Sequence, residues 1–336
     1  MKRVLITGGA GFVAHHVVDN ILRTTDWDIV SLDRLDWSGN LNRLAEVVRP
    51  EDQKRVKIVY HDLRSELNPQ IIKAIGDIDI ILHLAAGSHV DRSIEFPMEF
   101  VLDNVVGTCN ILNYARQVPN LERFIYFSTD EVFGPAMNGE KHLERDRYNS
   151  SNPYSASKAG GEELAVAFEN TYKLPIYITH TMNVFGQRQG SEKFIPMCIR
   201  KARDGEKITI HSDSTRTIPG SRHYIHASDV AEGLMFILGL DRDLLLPDAT
   251  GCKVPKFNLV GKEEINNLQL ATLIADVQGK PLNYELTDFH SSRPGHDLRY
   301  ALSGDYLKGL GWEPKISLSE RIKEMTLWTL ENDRWL

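Results

Sequence analysis

Short apolar runs alternate with amphipathic stretches along the first half of the chain. The runs are rich in Val and Ile and cover residues 4–6, 29–32, 56–60, 78–84, 123–127 and 176–181. Uninterrupted apolar runs of this kind are typical of strands that are buried on both faces. Helical periodicity separates them, most clearly at residues 12–22, 98–116 and 155–172. The alternation predicts an α/β fold with a doubly wound parallel sheet and right-handed crossovers.

The second half of the chain has a less regular pattern. Beyond about residue 186 the alternation weakens, and Pro and Gly become frequent between residues 196 and 294. Near the end, Ser317 and Glu320 form a capping box, and apolar residues at 318, 322, 325 and 328 or 329 share one helix face. We expect a Rossmann domain over residues 1–186, to which segment 222–262 returns, and a smaller mixed α/β substrate lobe over residues 187–336.

Composition and charge exclude several classes of function. The chain has 336 residues and a net charge of -7, which argues against nucleic-acid or membrane-surface partners, because both favour a basic face. No apolar run is long enough to cross a bilayer, and the N-terminus enters a strand pattern at once, so we expect a cytoplasmic protein. Cys109, Cys198 and Cys252 form no CxxC pair and no cluster at metal-ligand spacing, so we expect neither disulfides nor a bound metal.

A glycine-rich turn follows the first strand. Gly8 and Gly11 would let backbone N–H groups and a helix N-terminus approach a pyrophosphate, although a tight turn alone explains them equally well. Asp33 ends the second strand, where a carboxylate accepts hydrogen bonds from ribose hydroxyls and repels a 2′-phosphate. This pattern favours NAD over NADP, although the neighbouring Arg34 leaves NADP open. Asp62, after the third strand, is placed either to meet the adenine edge or to close a turn.

Two further patterns carry candidate chemistry. Tyr154 and Lys158 share a helix face, where the positive charge should lower the tyrosine pKa and let the phenolate accept a proton. In isolation this spacing more often marks a solvated helix face. Asp130 and Glu131 follow a strand at the edge where ligands bind, and adjacent carboxylates suit paired acid and base work. On position alone, a turn or a helix N-cap explains such a pair more often.

Together these motifs resemble the extended short-chain dehydrogenase/reductase family over essentially the whole chain. The resemblance is carried by residues 7–11, 83–86 (HLAA), 129–134 (TDEVFG) and 154–158 (YSASK). Within the family the chain is most similar to nucleotide-sugar 4,6-dehydratases, at residues 33–41, 88–93, 104–108, 192–196 and 293–297. Asp130 with Glu131 is the most informative feature, because related decarboxylases and GDP-mannose dehydratases have Ser in place of the Asp, and epimerases generally have neither carboxylate.

The resemblance implies NAD-dependent dehydration of a nucleotide-diphosphate hexose, with dTDP-glucose as the expected substrate. The sugar would be oxidised at C4, lose water across C5 and C6, and receive the hydride at C6. In this scheme Tyr154, supported by Lys158, deprotonates the 4-hydroxyl, and Thr129 binds the 4-oxygen. Glu131 abstracts the C5 proton, while a protonated Asp130 donates to the departing 6-hydroxyl.

The resemblance also implies two binding sets and an assembly. The cofactor set comprises Gly8, Gly11, Phe12, Val13, Asp33, Arg34, Asp62, Leu63, Leu84, Ala85, Ala86, Asn104, Ser128, Tyr154 and Lys158. The substrate set comprises Ser88, Asp91, Thr129, Asn183, Lys193, Arg222, Arg293 and His296. Guanidinium groups suit a diphosphate, although a surface salt bridge is the alternative explanation for any one of these residues, including Arg222 and His296. The family usually dimerises through helices that correspond to residues 98–116 and 155–172, so we expect a homodimer.

Several positions depart from the dehydratase pattern. Gly87 stands in place of Glu, Phe133 in place of Tyr, His180 in place of Arg and Val184 in place of Asn, and residues 212–221 form an unusual stretch. UDP-glucose and a UDP-N-acetylhexosamine are therefore alternative substrates. An epimerase or decarboxylase would use the same Tyr154 and Lys158. A catalytically silent NAD-sensing protein is a further alternative, which the intact catalytic residues disfavour.

Overall fold

The structure, a computed structural model, describes residues 1–136, 139–242, 245, 254–288 and 299–336. The strands are β1 (Arg3–Thr7), β2 (Asp28–Asp33), β3 (Val56–Tyr60), β4 (Ile80–His83), β5 (Arg123–Thr129), β6 (Ile176–Thr181), β7 (Asn183–Phe185), β8 (Ile208–Ser212), β9 (Ser221–His226), β10 (Lys256–Leu259), β11 (Glu264–Asn266) and β12 (Tyr284–Asp288). The α-helices are α1 (Phe12–Thr24), α2 (Leu41–Val47), α3 (Pro69–Ile75), α4 (Val90–Glu95), α5 (Pro97–Val101), α6 (Gly107–Ala115), α7 (Pro153–Tyr172), α8 (Phe194–Asp204), α9 (Ala227–Leu238), α10 (Asn267–Val277), α11 (Asp305–Gly309) and α12 (Leu318–Glu331). Short 3-10 helices cover Pro50–Arg55, Asp130–Phe133 and Asp333–Trp335.

Seven parallel strands form the central sheet, in the order β10-β6-β5-β4-β1-β2-β3. Val4 and Ile6 belong to the apolar layer on one face of this sheet, whereas Leu5 belongs to the layer on the other face. Because both faces are covered, such strands appear in the sequence as uninterrupted apolar runs. The doubly wound parallel sheet predicted from the sequence is confirmed.

The strand order reverses at β1, which pairs with β2 on one side and with β4 on the other. Helices α1 and α9 pack together on one face of the sheet, and α6 and α7 pack together on the other. In open α/β sheets a reversal of this kind creates a crevice at the carboxyl ends of the strands, where ligands bind. The topology therefore predicts that the residues after β1, β2, β4 and β5 line the ligand-binding crevice.

The segment after residue 221 contributes to both parts of the molecule. Strand β9 pairs with β7 and β11 in a three-stranded sheet, whereas β10 pairs with β6 at the edge of the central sheet. Between them, α9 packs against α1. The chain thus leaves the central sheet after β6, builds part of the smaller lobe and then returns.

The smaller lobe combines parallel and antiparallel pairs. Strand β11 is antiparallel to β9, while β7 is parallel to β9 and β12 is parallel to β8. Helix α12 begins at the expected capping box, in which the Ser317 side chain accepts a hydrogen bond from the Glu320 backbone N–H. Leu318, Ile322 and Met325 are buried, and Thr329 rather than Trp328 completes the buried face. The predicted smaller mixed lobe is confirmed.

The helix predicted over residues 98–116 is interrupted. A π-helical turn, Leu102–Val106, joins α5 to α6. Here α7 approaches closely at Gly161, where a Cβ atom would lie 2.5 Å from the Asn104 carbonyl oxygen and 2.4 Å from the Tyr126 hydroxyl oxygen. The Thr108 hydroxyl donates to the same carbonyl at 2.6 Å. A side-chain hydroxyl thus satisfies a carbonyl that the wider turn displaces from the regular helical ladder.

Among the described residues, no helix combines the length and apolar character that a membrane crossing requires.

Candidate active site

A cleft of about 810 Å³ opens at the carboxyl ends of the central strands. Its lining joins the turn after β1, the ends of β2 and β5, the N-terminal part of α7 and residues of the smaller lobe. The predicted cofactor residues that line the cleft are Gly8, Gly11, Phe12, Val13, Asp33, Arg34, Asp62, Leu63, Leu84, Ala85, Ala86, Ser128, Tyr154 and Lys158. The other predicted catalytic and substrate residues that line it are Thr129, Asp130, Glu131, Ser88, Asp91, Asn183, Lys193 and Arg222. We call the part at Gly8, Gly11 and Asp33 the cofactor end, and the part at Thr129, Asp130, Glu131, Tyr154 and Lys158 the catalytic end.

The turn between β1 and α1 requires glycine for steric reasons. Gly8 has a φ of 71°, and a Cβ atom there would lie 2.9 Å from the Cα of Ala85. Gly11 precedes α1, and a Cβ atom on it would lie 2.8 Å from the Gly8 carbonyl oxygen. The first turn of α1 contains no acidic side chain. Its N-terminal N–H groups and positive dipole end therefore suit an anionic group in the cleft.

The Asp33 carboxylate is held by backbone groups at the end of β2. One oxygen accepts a hydrogen bond from the Ala10 N–H at 3.1 Å, and the other accepts from the Leu35 N–H at 2.7 Å. Burial raises the pKa of Asp33, and these two hydrogen bonds oppose that shift. The carboxylate is therefore fixed in direction at the cofactor end.

Carboxylates surround Arg34, the residue that kept NADP as an alternative cofactor in the sequence analysis. Its guanidinium group donates to both Asp103 oxygens at 2.6 and 2.9 Å, and to Asp36 at 2.6 Å. Asp62 lies at 3.5 Å from the same group and also accepts from the Arg64 N–H at 2.9 Å, so it both lines the cleft and closes a turn. This acidic surrounding would repel a 2′-phosphate.

His83 connects the glycine turn to the helices behind it. The Thr7 hydroxyl lies 2.7 Å from His83 Nδ1, and the Thr108 hydroxyl lies 3.0 Å from Nε2. Because the Thr108 hydroxyl donates to the Asn104 carbonyl, it accepts from Nε2–H, which assigns the neutral Nε2–H tautomer. Burial, assisted by the charge of Lys158, lowers the pKa of His83 to about 3.

Tyr154 and Lys158 are both buried on α7. The Lys158 ammonium donates to the Phe127 carbonyl at 2.6 Å and lies 4.3 Å from the centre of the Tyr126 ring. Burial lowers the pKa of Lys158 to about 7. Fixed contacts of this kind hold the amine against the end of β5, at the floor of the cleft.

The expectation that positive charge lowers the Tyr154 pKa is wrong for the protein alone. Burial and the charge of Glu131 raise the pKa of the phenol, whereas a hydrogen bond with the Thr129 side chain lowers it. The physical reason is desolvation, since the tyrosinate loses water in this part of the cleft. Lys158 directs its ammonium at a carbonyl and does not offset that loss.

Asp130 and Glu131 occupy different environments within one 3-10 turn. Asp130 is buried and accepts from the Thr129 hydroxyl at 3.1 Å, while its second oxygen has no hydrogen-bond partner among the described residues. Burial raises the pKa of Asp130 to about 6, against the opposing charge of Arg222. Glu131 is partly exposed, and one of its oxygens accepts from the Asn152 side-chain amide at 3.0 Å. Two carboxyl groups with distinct environments suit separate acid and base roles.

The turn that carries this pair is fixed at both ends. At its start, the Thr129 hydroxyl accepts from the Glu131 N–H at 3.4 Å. At its end, Gly134 has a φ of 76°, and a Cβ atom there would lie 2.3 Å from the Asn149 carbonyl oxygen. Only glycine accommodates both constraints at this position.

The predicted substrate residues divide into two groups. Six of them line the cleft: Ser88, Asp91, Thr129, Asn183, Lys193 and Arg222. The guanidinium group of Arg222 lies 4.9 Å from the centre of the Tyr300 ring, which also lines the cleft. Arg293 and His296 lie outside the described residues.

Asn104 lies behind the cleft rather than in its lining. Its amide nitrogen donates to the Gly87 carbonyl at 3.0 Å and to the Ser157 hydroxyl at 2.9 Å, and its amide oxygen accepts from the Gly87 N–H at 2.8 Å. Both amide hydrogens are engaged by these contacts, so this predicted cofactor residue braces the loop after β4 against α7.

The sequence did not reveal two residues that support the site. Asn152, behind the cleft lining, caps α7 in a capping box with Ser155 and also holds Glu131; the Asn-Pro pair at the start of this helix could have indicated the cap. Arg43 is buried in the cleft lining and donates to the carbonyls of Ala10 and Ser38. No motif marks Arg43, because its position depends on how α2 packs against the glycine turn.

Comparison with known proteins gives a consistent result. Residues 5–325 match the family model described as GDP-mannose 4,6 dehydratase. The dTDP-D-glucose 4,6-dehydratase of Mus musculus is 33% identical over 336 aligned residues, which cover 98% of this chain and 89% of the relative. The crystal structure of the dTDP-glucose 4,6-dehydratase DesIV from Streptomyces venezuelae, with NAD and dTDP bound, has a TM-score of 0.84 and 30% identity, covering 99% of this chain and 98% of that one. The UDP-glucose 4-epimerase of Thermus thermophilus, in complex with NAD, has a TM-score of 0.82 and 26% identity, covering 96% and 97%.

Proposed function

The chain belongs to the GDP-mannose 4,6 dehydratase family of extended short-chain dehydrogenases/reductases, and from this premise we propose that it is an NAD-dependent 4,6-dehydratase acting on dTDP-glucose. The observation that carries the proposal is the catalytic end, where Asp130 and Glu131 share one cleft with Tyr154 and Lys158. Epimerisation needs neither carboxylate, whereas elimination of water needs an acid and a base.

The cofactor end fits NAD. The N-terminus of α1 beside Gly8 and Gly11 would hold the pyrophosphate, and Asp33 would accept from the adenosine ribose. Arg34 is neutralised by Asp36 and Asp103, which supports NAD over NADP. When bound, NAD supplies the hydride acceptor for oxidation at C4 and the hydride donor for reduction at C6.

The first proton transfer involves Tyr154, Thr129 and Lys158. As the phenolate, hydrogen-bonded with Thr129, Tyr154 would accept the proton of the sugar 4-hydroxyl and become the neutral phenol. Because burial raises the phenol pKa, the phenolate depends on nearby positive charge. The ammonium of Lys158, one helical turn away on α7, would provide that charge before the proton moves, since opposite charges attract strongly where water is excluded.

The elimination uses the two carboxyl groups differently. Glu131, oriented by Asn152, would remove the C5 proton as a carboxylate. Asp130, whose pKa burial raises to about 6, is protonated far more easily than an exposed aspartate and would donate to the departing 6-hydroxyl. The Thr129 hydroxyl, which contacts both Asp130 and Tyr154, would keep the ring in register with the acid.

The nucleotide would lie against the smaller lobe. We assign residues 1–186 with segment 222–262 to the cofactor and residues 187–336 to the nucleotide sugar. The N-terminus of α8, capped by Lys193, and the guanidinium group of Arg222 line the cleft and would bind the diphosphate. The roles of Arg293 and His296 in this site remain predictions from the resemblance.

A UDP-linked hexose is a second candidate substrate, and Val184 supports it. This residue lines the cleft beside Asn183 where dTDP-glucose dehydratases usually have a second Asn. Gly87 is weaker support for a UDP-linked substrate, because this residue lines a neighbouring cavity of about 560 Å³ and not the cleft itself. There a Cβ atom would lie 3.1 Å from the Phe100 ring and 3.2 Å from an Asp103 oxygen.

We also propose that the protein is a cytoplasmic homodimer. Apolar side chains are exposed on the α5 and π-helical segment, at Met98, Val101 and Leu102, and on α7 at Tyr172. Burying them against a second copy would form the expected four-helix interface. Sedimentation equilibrium should give the mass of two chains, and a monomer at micromolar concentration would contradict this part of the proposal.

Product analysis tests the function directly. Purified protein is incubated with dTDP-, UDP-, CDP- and GDP-hexoses, and the products are identified by mass spectrometry. We expect dTDP-glucose to lose the mass of one water and to give a 4-keto-6-deoxy sugar that absorbs strongly in alkali. The matched control is Tyr154→Phe, which should give no product. An unchanged mass with an inverted C4 centre would establish an epimerase, and NAD binding without turnover of any sugar would establish a silent protein.

A further inference from the structure

A buried polar cluster lies directly behind the turn that carries Asp130 and Glu131. We define the His180 cluster as His180, Glu162, Lys256 and Asn258, together with Phe133, which they support. His180 and Glu162 are completely buried, and Asn258 is as well. In the central sheet, His180 lies opposite Ser128 of β5 on one side and opposite Asn258 of β10 on the other. The proposed proton transfers do not use this cluster.

The hydrogen bonds of His180 define its protonation. Nδ1 lies 3.1 Å from the Asn258 amide oxygen, and Nε2 lies 3.1 and 3.2 Å from the two Glu162 oxygens. The Asn258 amide cannot be reversed without loss, because its nitrogen donates to the carbonyls of His142 and Ser303. Each ring nitrogen therefore faces an acceptor, and both must carry hydrogen. His180 is an imidazolium.

The charge of this imidazolium is balanced inside the protein. The Lys256 ammonium donates to Glu162 at 2.9 Å, and the Tyr148 hydroxyl donates to the same carboxylate. Burial alone would raise the pKa of Glu162, but the adjoining charges of His180 and Lys256 outweigh burial and lower it to about 2. A buried ion pair is retained only when its members are fully hydrogen-bonded, as they are here.

The cluster reaches the catalytic end through Phe133. The rings of His180 and Phe133 are 4.7 Å apart at an angle of 64°, within the range of a cation–π contact. His142 stacks on Phe133 at 5.5 Å, and Tyr148 contacts it edge-on at 5.5 Å. Phe133 is the last residue of the 3-10 turn that begins with Asp130. Its ring therefore anchors the end of the turn opposite to the Thr129 cap.

We propose that His180 is a positioning residue, held as an imidazolium by Glu162 and Asn258, which fixes Phe133 and through it the directions of Asp130 and Glu131. Two positions depart from the dehydratase pattern here, with His180 in place of Arg and Phe133 in place of Tyr. Their rings are in contact, so the two departures belong to the same packed cluster. The expected effect on turnover rests on the proposed dehydratase function. The protonation of His180 does not, because it follows from the hydrogen-bond geometry alone.

The replacements that test this proposal differ in the charge that they place at position 180. The groups that face it or adjoin its pair are Glu162 on α7, Lys256 and Asn258 on β10, and the segment that contains His142, Glu144 and Tyr148. An arginine there carries a positive charge, whereas a glutamine has none. Comparing these two replacements separates the role of the charge from the role of ring packing.

The experiment compares His180→Arg and His180→Gln with the wild type. We expect His180→Gln to lower kcat for dTDP-glucose by roughly 10- to 100-fold, the scale of a small misplacement of catalytic groups, with little change in KM or NAD affinity. His180→Arg, which keeps a positive charge at this position, should retain most of the wild-type kcat. Equal activity of His180→Gln and wild type would overturn the proposal.

Nitrogen NMR provides a readout that needs neither activity nor a folded glutamine variant. In protein labelled with ¹⁵N-histidine, the signals absent from His180→Arg identify His180, and we expect both of its ring nitrogens to be protonated at pH 7. Glu162→Gln should convert them to a neutral ring, whereas Glu163→Gln, at the exposed neighbouring position, should not. A neutral ring in the wild type would refute the inference. An imidazolium in a protein that dehydrates no sugar would refute the proposed function and leave the protonation intact.

Discussion

At the cofactor end of the cleft, backbone N–H groups line the glycine turn and hold the Asp33 carboxylate, whereas the catalytic end is lined by buried ionisable side chains. Gly8, Gly11 and the N-terminus of α1 present N–H groups, and Asp33 accepts two N–H hydrogen bonds. At the catalytic end, burial raises the pKa of Asp130 and lowers that of Lys158. One end is preorganised by chain geometry and the other by desolvation.

The difference has an energetic consequence. A carboxylate whose two oxygens accept backbone hydrogen bonds loses little on leaving water, because those bonds replace the lost hydration. Asp33 meets this condition, but Asp130 has one oxygen without a partner among the described residues. A buried charge without full hydrogen bonding destabilises the fold. We therefore expect the charge of Asp130 to cost more stability than the charge of Asp33.

The largest expected effect comes from removing the acid at the catalytic end. Asp130→Asn keeps the size of the side chain but cannot donate a proton to the departing hydroxyl. We expect kcat for dehydration to fall by roughly 10² to 10⁴, the usual contribution of one general acid, while NAD affinity remains unchanged. Steady-state assay of the keto-sugar product, with calorimetric titration of NAD, measures both quantities.

The matched control for this variant is Asp26→Asn, which changes net charge equally at an exposed site outside the cleft. It should retain wild-type turnover. Full activity of Asp130→Asn would remove the acid role from this residue, and an equal loss in both variants would trace the effect to net charge.

The second expected effect is a gain in stability from the same substitution. Burial raises the pKa of Asp130 to about 6, above an unfolded value of about 3.8, so ionisation of the folded protein is disfavoured. This cost is absent below about pH 4, grows as the pH rises, and reaches about 3 kcal/mol above about pH 6. Asp130→Asn should therefore raise the free energy of unfolding at pH 8 by up to about 3 kcal/mol, and by much less at pH 4.

Urea denaturation at several pH values tests the sign and the pH window together. A gain that is the same at pH 4 and pH 8 would show that packing, and not the buried charge, is responsible. A loss of stability at pH 8 would contradict the expected cost of the buried charge, because Asp130 would then stabilise the fold.

The parts of the fold that were predictable are those encoded locally. Strands buried on both faces and the capping box at Ser317 follow from neighbouring residues alone, and β1 to β6 and α12 lie where expected. The π-helical turn at 102–106 was not predictable, because it depends on the close approach of α7 at Gly161. The pairings within the smaller lobe likewise depend on contacts between residues far apart in sequence.

The candidate site shows the same division. The sequence spacing of the motifs predicted four catalytic residues, and the structure brings them into one cleft: Tyr154, Lys158, Asp130 and Glu131. Spacing could not give the direction of the Tyr154 pKa shift, since burial decides it. Nor could it reveal that Asn152 holds Glu131 or that His180 faces both Glu162 and Asn258. Sheet register and helix packing create those contacts.

The smallest expected effect is at the cofactor end, where a substitution at Asp33 tests the role of its carboxylate in dinucleotide binding. Asp33→Asn removes the charge but keeps one oxygen acceptor, so the two backbone N–H groups lose part of their hydrogen bonding and the ribose loses a charged partner. We expect NAD affinity to fall by roughly tenfold, about 1.4 kcal/mol, and NADP affinity to rise or stay constant, because repulsion of the 2′-phosphate is lost.

Calorimetric titration of both dinucleotides measures the preference, and urea denaturation measures the accompanying stability, which should change by less than that of Asp130→Asn. The reason is that two N–H hydrogen bonds oppose the effect of burial at Asp33, so its charge costs the fold less than the charge of Asp130 does. An undiminished NAD preference would mean that the carboxylate only closes the turn after β2. Cofactor choice would then rest with the acidic residues around Arg34, where Asp36→Asn is the corresponding substitution.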